Sequence, residues 1–172
     1  MKAASTAASG FELIVLGAGS ALPHPVTNGL RYGPSGYVLR DRPGERVTLL
    51  DCGPGSIRSL GDHGIAVEHV ERGRATLAYS GDTGEVPEQV ELARDADLYL
   101  VECASNDSDP APHHLHPQAV ARLAEAAQPR RLLLTHFYPG VDPEASRAAV
   151  EAGTGIPTLA AHDGWRGWVE SA

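Results

Sequence analysis

The chain has 172 residues, 22 acidic against 14 basic, for a formal net charge of −8, and 42% of its positions are hydrophobic. That length suits one domain with a sizeable core, and an acidic chain without a Lys/Arg cluster argues against a dedicated nucleic-acid-binding module, though not against a nuclease whose metal supplies the positive charge. Glycine (19) and proline (13) together exceed the average share of roughly 12% and speak against a helical bundle, and no apolar run approaches the roughly 18 residues of a membrane span.

The first ten residues, MKAASTAASG, are small and polar and lack the apolar stretch of a signal peptide, so 1–10 is expected to be a disordered leader and 11–172 a single domain. Strands are predicted at 11–16 (FELIVL), 36–40, 46–50, 75–79, 97–101, 131–135 and 157–160, where β-favouring apolar residues are bounded by turn residues. Helices are predicted near 54–62, 87–94, 117–127 and 143–151. The third opens on Pro117, a first-turn proline, and lines up Val120, Leu123, Ala124 and Ala127 on one face. Strand and helix alternate in the C-terminal half, the mark of α/β organisation, in which chemistry collects where strands run into loops. Cys52 and Cys103 make no disulfide framework; they fit small buried residues at strand ends in a cytoplasmic protein.

Four strands deliver a carboxylate or imidazole at the same relative place: Asp51 after VTLL, Asp82 after LAYSG, Glu102 after LYLV and His136 after LLLT. If those strands share a sheet and a direction, the four side chains converge on one edge. Carboxylate and neutral imidazole are both good ligands for zinc, manganese or iron. Singly, an aspartate in SGDTG is more often a turn or cap residue and a histidine after a strand more often a structural one; the joint occurrence favours a metal site. A second group, HHLHP, places His113, His114 and His116 before the helix at Pro117, where an imidazole could give a ligand or a proton. His24, His63, His69 and His162 lack such a setting and are expected to be structural.

The order GAGSALPHP (17–25), LLDCGPG (49–55), YSGDTG (79–84), LVECAS (100–105), HHLHPQAVARLA (113–124), LLLTHFYP (132–139) and AHDG (161–164) resembles the metallo-β-lactamase fold superfamily, in its ribonuclease Z and phosphodiesterase-like branch. The GAGSALP segment alone would also suit a dinucleotide-binding turn at Gly17 and Gly19, but the third glycine is missing and no helix follows. The resemblance implies an αββα sandwich of α/β class and a divalent cofactor, Zn2+ or Mn2+. It implies that Asp82 bridges metals, that His136 is a metal ligand and that Asp51 supports the cluster from behind. His114 is similar to the histidine that protonates a leaving group, with Glu102 as its acidic partner.

The same resemblance shows a gap. The superfamily's H-x-H-x-D-H motif has no counterpart here; GDHG at 61–64 echoes only its end. Between the helix near 54–62 and the strand at 75–79 only about a dozen residues remain, too few for further strands and helices, so an internal deletion near 61–74 and a shortened sandwich are expected. The function so implied is a metal-dependent hydrolase of a small-molecule or nucleic-acid phosphodiester, with an incomplete metal site and reduced or no activity. The alternative is a non-catalytic remnant acting as a binding or oligomerisation module. No membrane partner is expected, and strand edges left open invite a homodimer.

Overall fold

The computed structural model describes residues 10–19, 29–41, 47–50 and 75–171. The predicted leader up to residue 9, the helix near 54–62, the expected deletion near 61–74, and Asp51, Cys52, His24, His63 and His69 lie outside the described residues.

Strands β1 (Gly10–Gly17), β2 (Gly36–Asp41) and β3 (Val47–Leu50) form, with β8 (Arg166–Glu170), an antiparallel sheet in the order β3-β2-β1-β8. Strands β4 (Leu77–Tyr79), β5 (Leu98–Glu102), β6 (Leu132–Thr135) and β7 (Thr158–Ala160) form a second sheet in sequence order, all parallel. Parallel strands need crossovers, here helices α1 (Glu88–Ala93), α2 (Pro117–Ala127) and α3 (Pro143–Thr154). β5 and β6 are buried along their whole length, as expected of strands covered on both faces. One hydrophobic core joins Leu13, Val15 and Tyr37 of the first sheet to Tyr99, Val101 and Leu133 of the second and to Val120 and Leu123 of α2.

Helix boundaries follow local chemistry. Pro117 opens α2 after an extended His116, and Gln128 closes it in the left-handed region, its N–H on the Ala124 carbonyl. Asp142 caps α3 by accepting from the N–H groups of Glu144 and Ala145. That helix runs three residues past the predicted end at 151, through Gly153 to Gly155, whose φ of 69° stops it. Strand β8 was not predicted. Only Val169 of its five residues is buried, so the segment carries almost no hydrophobic pattern and owes its conformation to pairing with β1. Cys103, just past β5, is a buried free thiol, and burial pushes its pKa up to about 12.

The two sheets are tied together at the turn that leaves β1. A Cβ on Gly17 would stand 1.9 Å from the Pro34 carbonyl oxygen, so only glycine lets the two backbones meet there. The Asp163 carboxylate accepts from the Gly33 N–H with both oxygens, each at 2.9 Å, and from the Ala18 N–H at 3.1 Å. The Phe137 N–H, past the end of β6, donates to the Ala18 carbonyl at 3.3 Å. Across the sheets the Tyr37 hydroxyl meets Thr135 Oγ1 at 2.7 Å. Asp163→Ala strips two backbone donors of a charged acceptor, and an unfolding free energy lower by about 1–3 kcal/mol is expected in urea titrations; an unchanged midpoint would show that the clamp is not needed.

Candidate functional site

The C-terminal ends of β4, β5 and β6 lie side by side because these strands are parallel neighbours, and three of the four predicted strand-end residues come with them. β3, which leads to Asp51, belongs to the other sheet, so the condition of one shared sheet holds for three of the four strands, and Asp51 itself lies outside the described residues. Glu102 is the last residue of β5 and not the first beyond it. Asp82 follows Gly81, whose φ is 61°. His136 directly follows β6 and holds a φ of 60°; this left-handed conformation costs a β-carbon residue of order 1–3 kcal/mol and turns its imidazole away from the strand line.

Glu102 is almost fully buried, at 1% exposure. Its Oε2 lies 3.0 Å from His114 Nδ1 and accepts from the Leu115 N–H at 3.3 Å; its Oε1 lies 3.2 Å from Nδ1 and accepts from the Thr83 N–H. An ionised carboxylate only accepts, so His114 carries its proton on Nδ1. The lone pair of a neutral His114 is then on Nε2, and the Tyr138 hydroxyl, 2.8 Å away, donates to it. The result is a relay from phenol to imidazole to carboxylate. Burial raises the Glu102 pKa above the usual carboxylate range, against the opposing hydrogen bonds from Thr83, His114 and Leu115. The Tyr138 phenol is pushed up by burial and by the charges of Glu102 and Asp82.

The second imidazole stands beside the first. The rings of His114 and His136 are 5.6 Å apart and 15° from parallel, and Tyr138 leans over both at 5.1 and 5.8 Å. His136 Nδ1 lies 3.1 Å from Asp82 Oδ1 and 3.0 Å from Ser35 Oγ. His136 is buried, whereas the Asp82 side chain is 57% exposed. In donor type Asp82 and His136 suit zinc or manganese. In number they fall short: a catalytic zinc ordinarily has three protein ligands, and among the described residues no three His, Cys, Asp or Glu side chains gather to hold an ion. The described residues therefore do not by themselves fit a complete metal site.

His116 is the cap residue before α2 and pairs through Nδ1 with Asp107 at 2.6 Å, a local structural role; His113 lies in the loop before His114 with a φ of 64°. Tyr138 and Ser35 were not singled out in the sequence. Tyr138 sits two places after His136 within LLLTHFYP, an available signal; Ser35 lies in a plain GPSGY turn and offers none.

The Beta-lactamase superfamily domain, Lactamase_B_2, matches residues 63–137. A ribonuclease Z of Acaryochloris marina is 32% identical over 150 residues, covering 80% of this chain and 42% of that protein. The chain spans less than half the length of the curated relatives it matches, 24% and 42% in two of them. Among solved structures, the metallo-β-lactamase fold protein YhfI from Bacillus subtilis superposes with a TM-score of 0.74 at 14% identity, over 92% of this chain and 99% of that one. The short form of human tRNase Z gives 0.67 at 16% identity, over 90% and 98%. At these identities the structures establish likeness of fold.

The raised pKa of Glu102 has a consequence for stability. The folded chain holds this proton more tightly than the unfolded one, so the stabilisation is complete below the ordinary value of 4.5 and is lost as pH rises through the folded-state value. Unfolding free energies of wild type minus Glu102→Gln, from urea titrations over about pH 4 to 7, should therefore fall with rising pH. A difference that is flat or rises would contradict the direction of the shift.

Proposed function

We propose that this chain, which belongs to the metallo-β-lactamase fold superfamily, carries a phosphodiester-hydrolase site whose acid–base arm is built and whose metal arm is short of donors, so that it hydrolyses phosphodiesters at a reduced rate or not at all. The observation behind this reading is the Tyr138–His114–Glu102 relay, stacked at 5.6 Å on the ring of His136. The likeness to a ribonuclease Z supports the substrate class, a phosphodiester of RNA or of a smaller molecule. A cytoplasmic setting goes with it, Cys103 being a buried free thiol; among the described residues no helix is long and apolar enough to cross a membrane.

In this reading His114 is the proton donor. When the ring is protonated on both nitrogens, Nδ1–H stays on Glu102 and Nε2–H turns outward, first to the Tyr138 oxygen and, with substrate bound, to the departing oxygen. Glu102 holds the ring in place and stabilises its positive charge. Burial of the carboxylate keeps water from competing for Nδ1. Asp82 and His136 are assigned to a zinc or manganese ion and Asp51 to its support, with the reaction's other half left without a full set of ligands.

Metal content and turnover of the purified 172-residue chain test this. After reconstitution with zinc or manganese, well under one equivalent per chain is expected by elemental analysis, with weak hydrolysis of bis(p-nitrophenyl) phosphate that falls further, by about 100-fold or to background, in His114→Ala and in Asp82→Ala. Full loading with rapid turnover would overturn the short metal arm. A folded chain with neither metal nor turnover would leave the non-catalytic remnant as the correct reading.

A further inference from the structure

We propose that Ser35 is a positioning residue that fixes the tautomer of His136, holding the ring proton on Nδ1 and the lone pair on Nε2. The proposal rests on the reading above in taking His136 as a site residue, but its geometry stands apart from any metal. Ser35 is buried, at 6% exposure, between the bridge at Pro34 and the first residue of β2. Its Oγ lies 2.7 Å from the Gly19 carbonyl oxygen and 3.0 Å from His136 Nδ1.

A carbonyl oxygen can only accept, so the single hydroxyl hydrogen of Ser35 is spent on Gly19. Turning that hydrogen to Nδ1 would leave two oxygens 2.7 Å apart with no proton between them, a repulsive contact. Ser35 therefore faces Nδ1 with a lone pair, and Nδ1 must bring the hydrogen. Asp82 Oδ1, at 3.1 Å from the same nitrogen, is also an acceptor and agrees with this tautomer. The two acceptors differ in how firmly they are held. Asp82 is more than half exposed on a loop. Ser35 is buried, and its anchor is fixed in turn, since the Gly19 N–H donates to the Gly33 carbonyl at 2.7 Å and a Cβ on Gly19 would meet the Tyr32 carbonyl oxygen at 2.5 Å. Of these two acceptors at Nδ1, Ser35 is the rigid one, and the tautomer is assigned to it.

Two consequences follow for the site. The nitrogen with which His136 could ligate an ion or take a proton is Nε2, because Nδ1 is occupied by its own hydrogen. The two stacked rings, His114 and His136, then share one tautomer, set in one case by Glu102 and in the other by Ser35. Partners of this kind on a ligand histidine commonly change metal affinity by 10–100-fold when removed.

The test is a long-range 1H–15N correlation spectrum of the full chain labelled with 15N, taken where the ring is neutral and assigned with His136→Asn. Wild type should show the Nδ1–H form alone. Ser35→Thr keeps the hydroxyl and should retain it. Asp82→Ala should also retain it, and Ser35→Ala, with a native amide spectrum, should show a mixture with the Nε2–H form. An Nε2–H ring in wild type, or a Ser35→Ala ring unchanged from wild type, would overturn the proposal. Calorimetric titration with zinc alone separates this from the functional reading: if wild type binds zinc, Ser35→Ala should bind it 10–100-fold more weakly. If wild type takes up none, the metal assignment of Asp82 and His136 fails, while the tautomer spectra still decide the role of Ser35.

Discussion

The turn at Gly17–Gly19 is the contact on which the rest of the structure depends. There the first sheet's central strand gives up its own pairing and hands its backbone to both neighbours. The Gly19 N–H goes to the Gly33 carbonyl, the Ala18 carbonyl receives the Phe137 N–H, and Asp163 closes over Ala18 and Gly33 from the C-terminal segment. Backbone groups buried at a sheet–sheet junction must all find partners. Here the Ala18–Phe137 and Asp163 contacts join segments more than a hundred residues apart in the chain, and the Ala18–Phe137 bond links the antiparallel sheet to the end of β6. The Gly19 carbonyl left over from this arrangement is the one that holds Ser35.

The parallel sheet converts that docking into a site. Its strands end together, so Glu102 and His136 arrive one strand apart, and the loop from β5 to α2 brings His114 back over Glu102. The carboxylates beside the two imidazoles differ in burial. Glu102 loses almost all contact with water and keeps four hydrogen-bond contacts in exchange, which makes its position definite and its ionisation costly. Asp82 stays exposed and touches His136 from the solvent side. The contrast lies in the carboxylates: Glu102 sits as in a protein interior and Asp82 as on a surface, while both imidazoles are largely covered.

Most of the strand and helix pattern was legible because its residues serve only packing. The apolar runs of β1, β5 and β6 and the one-sided α2 state their burial in their spacing. β8 and the last turn of α3 were not legible, the first because its burial is confined to Val169 and the second because Gly153 sits in a helix that Gly155 ends. Asp82, Glu102, His114 and His136 stood out as reactive side chains at strand ends or before a helix. Ser35 did not, and Asp163 was marked only as part of AHDG, for a physical reason: His136 for Ser35 and the Ala18 and Gly33 backbone for Asp163 lie a hundred or more positions away, and nothing in their own neighbourhoods encodes a partner that only the closed fold supplies.

That difference bears on how the two arms of the site depend on the chain. His114 takes its orientation from Glu102, twelve positions away, and from Tyr138 beyond β6, while Thr83 beyond β4 holds Glu102, so the proposed acid–base arm draws on the parallel sheet and its loops. His136 takes its orientation from Ser35 and Gly19, across the sheet–sheet junction. The relay depends on the parallel sheet alone, because Thr83, Glu102, His114 and Tyr138 all lie on the segments that follow β4, β5 and β6. An imidazole set across the junction survives only while both sheets are docked in register. The docking contacts at Ala18, Gly19, Gly33 and Asp163 hold His136 beside Ser35 and Asp82. Among the described residues, what the candidate site lacks for a metal is a third donor beside Asp82 and His136, and not a fixed ring.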